Sequence, residues 1–315
     1  MNQKTILSYG EVLWDLLPNK AILGGAPFNF AYRMHALAHR SRVVSRLGID
    51  DYGLRARDQI AKLGMPMEGL QSDIQFPTGT VQVNFDKNLT PDYYIVPDVA
   101  YDQIEPTLQL EELANEIDAI CFGTLAQRTT RSQETLYWLI NQLRPETLKI
   151  YDINLRKNCF NKLTVEKSLQ YANVLKLSDE ETRSVAEWFD LDPEDLLTMG
   201  KSLVQQWNLK CCLITLGARG ALAFGENYDV IYQPGFEIKM SEPVGAGDAF
   251  TAGFIHRYLH GDHLRDCCKT GCGLGALVAT QTGATEPVTP HTLGAFLESS
   301  PITQLDIRFS HLIHP

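Results

Sequence analysis

The chain has 315 residues, of which 44% are hydrophobic and 21% are charged, a composition typical of globular proteins. Its formal net charge of −10 argues against a nucleic-acid-binding groove, which requires a basic stripe. No stretch approaches the ~20 apolar residues of a membrane span. The seven cysteines form no Cys-x-x-Cys pair and no secretion signal is evident, so we expect reduced thiols in a cytoplasmic protein that binds neither membranes nor nucleic acid.

Short apolar runs rich in β-branched residues recur along the chain and predict buried strands. They alternate with amphipathic stretches that predict helices, among them 130–143, 164–172 and 193–207. Such alternation is typical of an α/β fold whose mostly parallel sheet is covered by helices on both faces. Ligands should then collect at the carboxyl ends of the strands. The predicted strands are 5–10, 42–48, 117–123, 148–154, 173–178 and 211–217.

Two segments break this rhythm because polar and apolar residues alternate in them, at about 11–23 and 76–101. Alternation with period two predicts half-buried antiparallel strands. We expect both segments to form a small β-sheet that serves as a lid, within a single domain spanning residues 1–315. An ordinary surface hairpin is the alternative.

The segment "SEPVGAGDAF" at 241–250 precedes a predicted helix at 248–260. Small residues at a helix start let backbone N–H groups approach an anion, and the helix dipole favours negative charge there. Gly245, Ala246 and Gly247 therefore predict a phosphate cradle. Asp248 beside it could take a proton from an attacking hydroxyl, although a helix dipole would make it a weak base. The alternative is that Asp248 is only an N-cap.

Two long motifs in this order resemble the signatures of the ribokinase-like sugar kinases, also called the phosphofructokinase B family. The first is "GGAPFNFAYRMHALAHRSRVVSRLGIDDYG" at 24–53, and the second is "EPVGAGDAFTAG" at 242–253. The resemblance extends from about residue 5 to about residue 290. It implies a three-layer α/β/α fold with a mostly parallel central sheet and a small β-sheet lid.

The resemblance also assigns roles to residues of these motifs. Asp248 matches the catalytic base of the family, and Gly245, Ala246 and Gly247 match its anion hole. Positions that hydrogen-bond sugar hydroxyls correspond to Asp15, Gly25 and Asn29. Arg33 lies one helical turn after Asn29 and could face the same pocket, but the usual surface habit of arginine favours a solvated position.

Three further segments resemble family motifs of the nucleotide and sugar sites. "TLGARG" at 215–220 implies ATP contacts from Thr215, Gly217 and Gly220, with an ordinary strand-to-turn glycine pair as the alternative. "DINLR" and "NVLKLSDEE" resemble segments of bacterial fructokinases. They imply that Arg156 and Lys176 bind sugar or phosphate oxygens. They also imply that Glu181 binds Mg²⁺, through water; surface salt bridges are the alternative for all three.

The chain departs from the family pattern at two places. Glu242 and Pro243 replace the usual Asp-Thr, whose Asp helps to hold a monovalent cation in relatives, so a K⁺ requirement is doubtful here. Ser178 replaces an Asn and weakens the expected Mg²⁺–water network. Neither departure touches Asp248.

These observations predict an ATP- and Mg²⁺-dependent sugar kinase that phosphorylates a primary hydroxyl, with D-fructose, giving fructose 6-phosphate, as the leading substrate. Ribose, a nucleoside or 2-keto-3-deoxygluconate are alternatives within the same reaction. A non-catalytic sugar-binding regulator on a kinase fold is an alternative from another class. Edge strands of the lid could pair between subunits, so a homodimer is expected.

Overall fold

A computed structural model describes residues 2–85, 91–192, 194–227, 229–241, 244–299 and 301–313. In chain order its strands are β1 (Thr5–Tyr9), β2 (Leu13–Leu17), β3 (Lys20–Gly24), β4 (Arg40–Gly48), β5 (Leu70–Asp73), β6 (Gly79–Phe85), β7 (Pro91–Ile95), β8 (Ala119–Phe122), β9 (Leu148–Asp152), β10 (Val174–Ser178), β11 (Cys211–Thr215), β12 (Ala221–Gly225), β13 (Val230–Gln233), β14 (Gly235–Phe236) and β15 (Thr303–Gln304). Its α-helices are α1 (Ala26–Ala36), α2 (Asp51–Lys62), α3 (Leu108–Ala114), α4 (Thr130–Gln142), α5 (Lys162–Tyr171), α6 (Glu181–Phe189), α7 (Leu196–Trp207), α8 (Ala246–Tyr258), α9 (Leu264–Ala279) and α10 (Pro290–Glu298).

The main sheet has the strand order β13-β12-β11-β10-β9-β8-β1-β4-β5. The strands from β11 to β5 are parallel, which confirms the mostly parallel sheet predicted from the apolar runs. β12 and β13 extend it antiparallel beyond β11 and were not predicted.

Helices cover both faces of this sheet because successive side chains of each buried strand point to opposite faces. Leu7 and Tyr9 of β1 pack into a core shared with α3 to α7, whereas Ile6 packs into a second core with α1, α8, α9 and α10. A third core lies between α1, α2 and β4. The three-layer α/β/α architecture is therefore confirmed. Among the described residues no helix combines the length and apolar character needed to cross a bilayer.

The small sheet consists of β2, β3, β6 and β7, in the order β3-β2-β6-β7. Both predicted segments thus contribute to one sheet rather than to a separate surface hairpin. The expectation of purely antiparallel pairing was wrong, because β2 and β6 pair in parallel. Both leave the main sheet from parallel strands, β1 and β5, and so run in the same direction. Residues 100–103 form a 3₁₀ helix instead of a strand. Pairing of the edge strands between subunits stays a prediction, as does the single-domain organisation.

Parallel strands bring their carboxyl ends to one edge of the main sheet, and this edge positions the site. Glu11 follows β1 there, Asp152 ends β9, and Lys176 lies near the end of β10. The N-terminus of α8 reaches the same edge, since Gly247 lies beside Lys176. Residues far apart in the sequence therefore meet around the start of α8.

Candidate active site

The first turn of α8 has only small residues before Asp248, so a ligand could come close to its backbone N–H groups. The helix begins at Ala246, two residues before the predicted start, and its N-cap Gly245 has φ 78°. A Cβ on Gly245 would lie 2.5 Å from the Cβ of Ala284, so the loop that packs here requires a glycine. Because this N-cap has no side chain to claim the first N–H groups, they remain available to an anion. The anion-hole role of residues 245–247 stays a prediction that this geometry supports.

Asp248 and Asn29 meet although 219 residues separate them. The Asn29 Nδ2 donates a hydrogen bond of 2.8 Å to the Asp248 Oδ2. Asn29 is buried in the first turn of α1, and within the described ranges its Oδ1 is a buried atom without a hydrogen-bond partner. The hydrogen bond fixes the orientation of the Asp248 carboxylate, and the orphaned oxygen can accept a further donor.

The environment of Asp248 makes it a stronger base than its position suggests. Burial and the negative charge of Asp152 raise its pKa from 3.8 to about 6, although Asn29, Lys176 and Arg156 oppose the change. The expectation that the helix dipole makes Asp248 a weak base was wrong, because desolvation outweighs the other influences. At neutral pH Asp248 is still mostly ionised and can accept a proton.

Lys176 is the buried cation of the site. Its Nζ lies 3.0 Å from the Asp152 Oδ1, and the other Asp152 oxygen accepts a 3.0 Å hydrogen bond from the Thr251 hydroxyl of α8. Although burial alone lowers the pKa of Lys176, the charges of Asp152, Glu181 and Asp248 raise it overall. A Cβ on Gly247 would stand 3.5 Å from the Lys176 Nζ. Lys176 is therefore no surface salt-bridge residue, and it adds positive charge beside the first turn of α8.

Glu11 is a further buried carboxyl of the site, beside Asp248 and Asp152, and the sequence reasoning missed it. Its Oε1 accepts a 3.3 Å hydrogen bond from the Ala26 N–H, while its buried Oε2 has no hydrogen-bond partner among the described residues. Burial raises the pKa of Glu11 to about 7, with Arg156 opposing and Asp248 adding to the change. Gly25 makes this arrangement possible: its φ is 113°, and a Cβ there would lie 2.4 Å from the Glu11 carbonyl oxygen. Gly25 therefore lets the start of α1 lie directly against the Glu11 backbone, and its contact with a sugar stays a prediction.

Arg156 and Asp15 lie at the more open side of the site. Arg156 is exposed in the loop after β9, and its charge lowers the pKa of both Glu11 and Asp248, so it lies within electrostatic reach of both carboxyls. Asp15 is partly buried on β2, and its Oδ2 lies 3.3 Å from the position that a Cβ would take on Gly24. Asp15 thus lies beside the junction of β3 and α1, and its sugar contact stays a prediction.

Glu181 links the loop after β9 to the end of β10 through hydrogen bonds. Its Oε1 accepts a 2.7 Å hydrogen bond from the Leu155 N–H, and its Oε2 accepts one of 2.7 Å from the Ser178 N–H. The Ser178 hydroxyl oxygen accepts in turn from the Glu181 N–H at 3.3 Å. Each carboxylate oxygen keeps a further lone pair that could hold a water of a magnesium ion. In the described part of the chain no group of three or more His, Cys, Asp and Glu side chains is placed to hold a metal ion.

The predicted ATP segment lies at the end of β11. The Thr215 hydroxyl donates to the Leu177 carbonyl at 3.4 Å, and Gly217 is exposed with φ 59°. Gly220 is buried, and a Cβ there would lie 2.0 Å from the Gln233 carbonyl oxygen, so this glycine is needed to close the turn. Nucleotide contact from these three positions stays a prediction.

Arg33 is buried and only 1% exposed, so the expectation of a solvated position was wrong. It lies on the same face of α1 as Asn29, one turn later. Glu242 and Pro243, on which the doubtful K⁺ requirement depends, lie outside the described residues.

Comparison with protein families decides the class of this site. Residues 9–291 match the pfkB family carbohydrate kinases. The chain belongs to this family. It is therefore a phosphotransferase with an alcohol group as acceptor, and the resemblance stated from the sequence motifs is confirmed.

Relatives of this pfkB-family kinase align with most of its length. It is 26% identical over 267 residues to a putative sugar kinase of Pyrococcus horikoshii, covering 79% of this chain and 81% of that protein. It is 24% identical to probable fructokinase-3 of Arabidopsis thaliana, covering 97% and 94%.

Solved structures of the same fold include two bacterial fructokinases. Fructokinase with bound ATP from Xylella fastidiosa superposes with a TM-score of 0.83 at 19% identity, covering 95% of this chain and 99% of that one. Fructokinase from Vibrio cholerae, bound to fructose, ADP and calcium, superposes with a TM-score of 0.79 at 23% identity, covering 94% and 100%.

Sequence reasoning about this kinase overlooked three buried side chains of the site, Glu11, Asp152 and Thr251. Glu11 and Asp152 both stand where a predicted strand ends, which is the edge where ligands bind in such sheets. That position was the available signal for both. Thr251 lies one helical turn after Gly247, but nothing in the sequence shows that it contacts β9.

Proposed function

We propose that this kinase transfers the γ-phosphoryl group of ATP to the primary hydroxyl of D-fructose, giving fructose 6-phosphate. Relatives named fructokinase span nearly the whole chain, and structures of the same fold were solved with ATP or ADP. The observation that carries the proposal is the Asp248 carboxylate, which Asn29 orients beside the open first turn of α8.

Asp248 is proposed as the base that receives the proton of the attacking hydroxyl. Asn29 holds the Oδ2 and leaves the Oδ1 for the alcohol. A base works best when its pKa is near the working pH, and a pKa of about 6 satisfies this while keeping the carboxylate mostly ionised at neutral pH. Positioning dominates phosphoryl transfer, so the fixed carboxylate matters as much as its basicity.

Charge that develops on the transferred phosphoryl group is proposed to be stabilised by the N–H groups of residues 245–247 and by the Lys176 ammonium. Both are held in place before the reaction, the amides by the helix and Lys176 by its ion pair with Asp152. Bound Mg²⁺ would supply further neutralisation of the nucleotide phosphates, and Glu181 is the residue proposed to hold it through water. The fit is chemical: Glu181 presents carboxylate oxygens at the edge where β10 ends.

The small sheet is proposed to cover the sugar and to exclude water, which competes with the alcohol as phosphoryl acceptor. Asp15 on β2 would accept hydrogen bonds from sugar hydroxyls on this side of the site. The nucleotide would contact Thr215, Gly217 and Gly220. A kinase that consumes ATP would work in the cytoplasm, where ATP is available.

A sugar acid such as 2-keto-3-deoxygluconate is the second candidate substrate. Arg156 favours it, because this exposed guanidinium lies within electrostatic reach of Glu11 and Asp248 and could bind a carboxylate bidentately. A coupled assay that follows ADP release over fructose, ribose, adenosine and 2-keto-3-deoxygluconate separates the candidates. Fructose should give the highest kcat/KM; preference for the sugar acid, lost in Arg156→Gln, would replace fructose by the second candidate.

The kinase assignment itself is tested by Asp248→Asn. We expect kcat to fall by about 10²–10⁴-fold, while calorimetry still detects ATP and sugar binding. Asp266→Asn is the matched control, since Asp266 occupies the first turn of α9 but is exposed and leaves the site untouched. Near-normal turnover in Asp248→Asn would refute the role of this carboxylate.

A further inference from the structure

Arg33 is a cation buried behind the first turn of α8. Its Nη1 donates a 2.5 Å hydrogen bond to the carbonyl oxygen of Glu286, and its Nη2 donates one of 2.5 Å to that of Ala284. The side-chain oxygen of Gln281 lies 3.5 Å from the Nη2. Three oxygens of the loop between α9 and α10 thus converge on a single guanidinium.

This loop supports the anion hole directly. The Cα of Ala284 lies 3.1 Å, and its Cβ 2.5 Å, from the position that a Cβ would take on Gly245, the N-cap of α8. A displacement of Ala284 would therefore move the cap whose following N–H groups face the phosphoryl group. Since Arg33 binds the carbonyl of Ala284 itself, it controls the placement of that support.

The charge of Arg33 is also available to the site. Burial lowers the pKa of Arg33 to about 10, while the charges of Tyr32, Asp248 and Glu286 oppose the change, so the guanidinium is cationic at neutral pH. Asp248 lies within its electrostatic reach. Converging backbone carbonyls are the ligands that a monovalent metal cation would take, and here a side chain of the protein occupies them.

We propose that Arg33 is a positioning residue that acts as an internal cation: it fixes the loop 281–286 against Gly245, so that phosphoryl transfer needs no added monovalent cation. This inference rests on the proposed function.

The first experiment needs no variant. Turnover of the wild-type kinase is measured in choline chloride and in KCl at matched ionic strength, because screening alone alters the binding of charged substrates. We expect kcat to differ by less than about twofold between the two salts, whereas activation of about tenfold or more by K⁺ would overturn the proposal. If no sugar of the panel is turned over in either salt, the proposed function fails, and the role of Arg33 is then decided by the stability measurement below.

The second experiment tests the guanidinium itself. In Arg33→Ala we expect kcat to fall by about 10²-fold with little change in KM, because the anion hole is displaced while the sugar site is kept. Millimolar guanidinium should restore part of kcat and raise the melting temperature of this variant, but not that of the wild type. Arg33→Lys retains the positive charge but not the planar guanidinium that binds two carbonyls at once, so its turnover should be intermediate. It is the variant to use if Arg33→Ala does not fold.

Arg40→Met is the control, since Arg40 is an exposed arginine at the first residue of β4. It should behave like the wild type in both salts. Wild-type kcat in folded Arg33→Ala or in Arg33→Lys, or the absence of any guanidinium effect on the melting temperature of Arg33→Ala, would overturn the positioning role.

Discussion

Replacing Asp248 by asparagine should stabilise the folded protein at neutral pH while it removes the proposed base. The pKa of Asp248 is about 6 against an ordinary value of 3.8, chiefly because the carboxyl is buried and Asp152 lies near it. The folded protein therefore holds this proton more tightly than the unfolded chain does. The free energy of unfolding therefore falls as the pH rises from about 4 to about 6, and the loss is complete above about pH 6.

The size of the effect follows from this difference in pKa. At ~1.4 kcal/mol per pH unit, the difference corresponds to about 3 kcal/mol of stability that is absent above pH 6. Since the Asp248 residue as a whole keeps some contact with water although its carboxyl is largely desolvated, this figure is an upper bound. We expect Asp248→Asn to gain about 1–3 kcal/mol at pH 8. At pH 4 the carboxyl is protonated in the folded state and about half protonated in the unfolded chain, so most of the gain should be lost.

Urea unfolding of the wild type and the variant at pH 4 and pH 8 measures this gain, with Asp266→Asn as an exposed control that changes stability by less than about 0.5 kcal/mol. Thermal unfolding should show a rise of about 2 °C per kcal/mol for a chain of this size. If Asp248→Asn is no more stable than the wild type at pH 8, the buried carboxylate carries no desolvation penalty and the reasoning about its basicity is refuted.

The contacts around this carboxylate predict three further results. The kcat/KM of the wild type should rise with pH through a midpoint near 6. Asn29→Ala should move that midpoint upward by about one pH unit, since a hydrogen bond to a charged group contributes about 1.5–3 kcal/mol. An unchanged midpoint in this variant would contradict the role of the hydrogen bond. In urea titrations, Gly25→Ala should lower the free energy of unfolding by about 2 kcal/mol or more, because the φ of Gly25 is 113° and the new Cβ would meet a backbone carbonyl. Gly294→Ala in α10, where a Cβ meets open space, should instead raise it by about 0.5–1 kcal/mol. Lys176→Met should destabilise the fold by about 3–5 kcal/mol by leaving Asp152 unpaired, and adding Asp152→Asn should recover most of the loss; a double variant as unstable as the single one would show that the ion pair is not the cause.

The layers of the fold could be predicted from the sequence because they depend on local periodicity. Near-continuous apolar runs between amphipathic stretches determine which segments are buried on both faces, and the structure confirms these segments within a few residues. The parallel pairing of β2 with β6 could not be predicted in the same way. It depends on the direction in which each strand leaves the main sheet, which is a property of the assembled topology.

Site residues that belong to a sequence motif could be predicted, whereas residues that join the site only through tertiary contacts could not. Asp248 and Asn29 stand in recognisable signatures, and the structure brings them into a hydrogen bond. The buried position of Arg33 contradicts the general habit of arginine, because three oxygens of a distant loop compensate its burial. The basicity of Asp248 was misjudged since a helix-dipole argument contains no information about desolvation or about Asp152.

Gly25 is the one residue between the end of β3 and the start of α1. Its carbonyl accepts the N–H of Asn29, whose side chain donates to Asp248. The edge strand β3 of the small sheet is therefore joined to the proposed base through one glycine. A tilt of the small sheet would either change the backbone dihedral angles of Gly25 or displace the Asn29 backbone amide. Under the proposed function, the covering of the sugar by the small sheet and the orientation of the Asp248 carboxylate would both depend on this glycine.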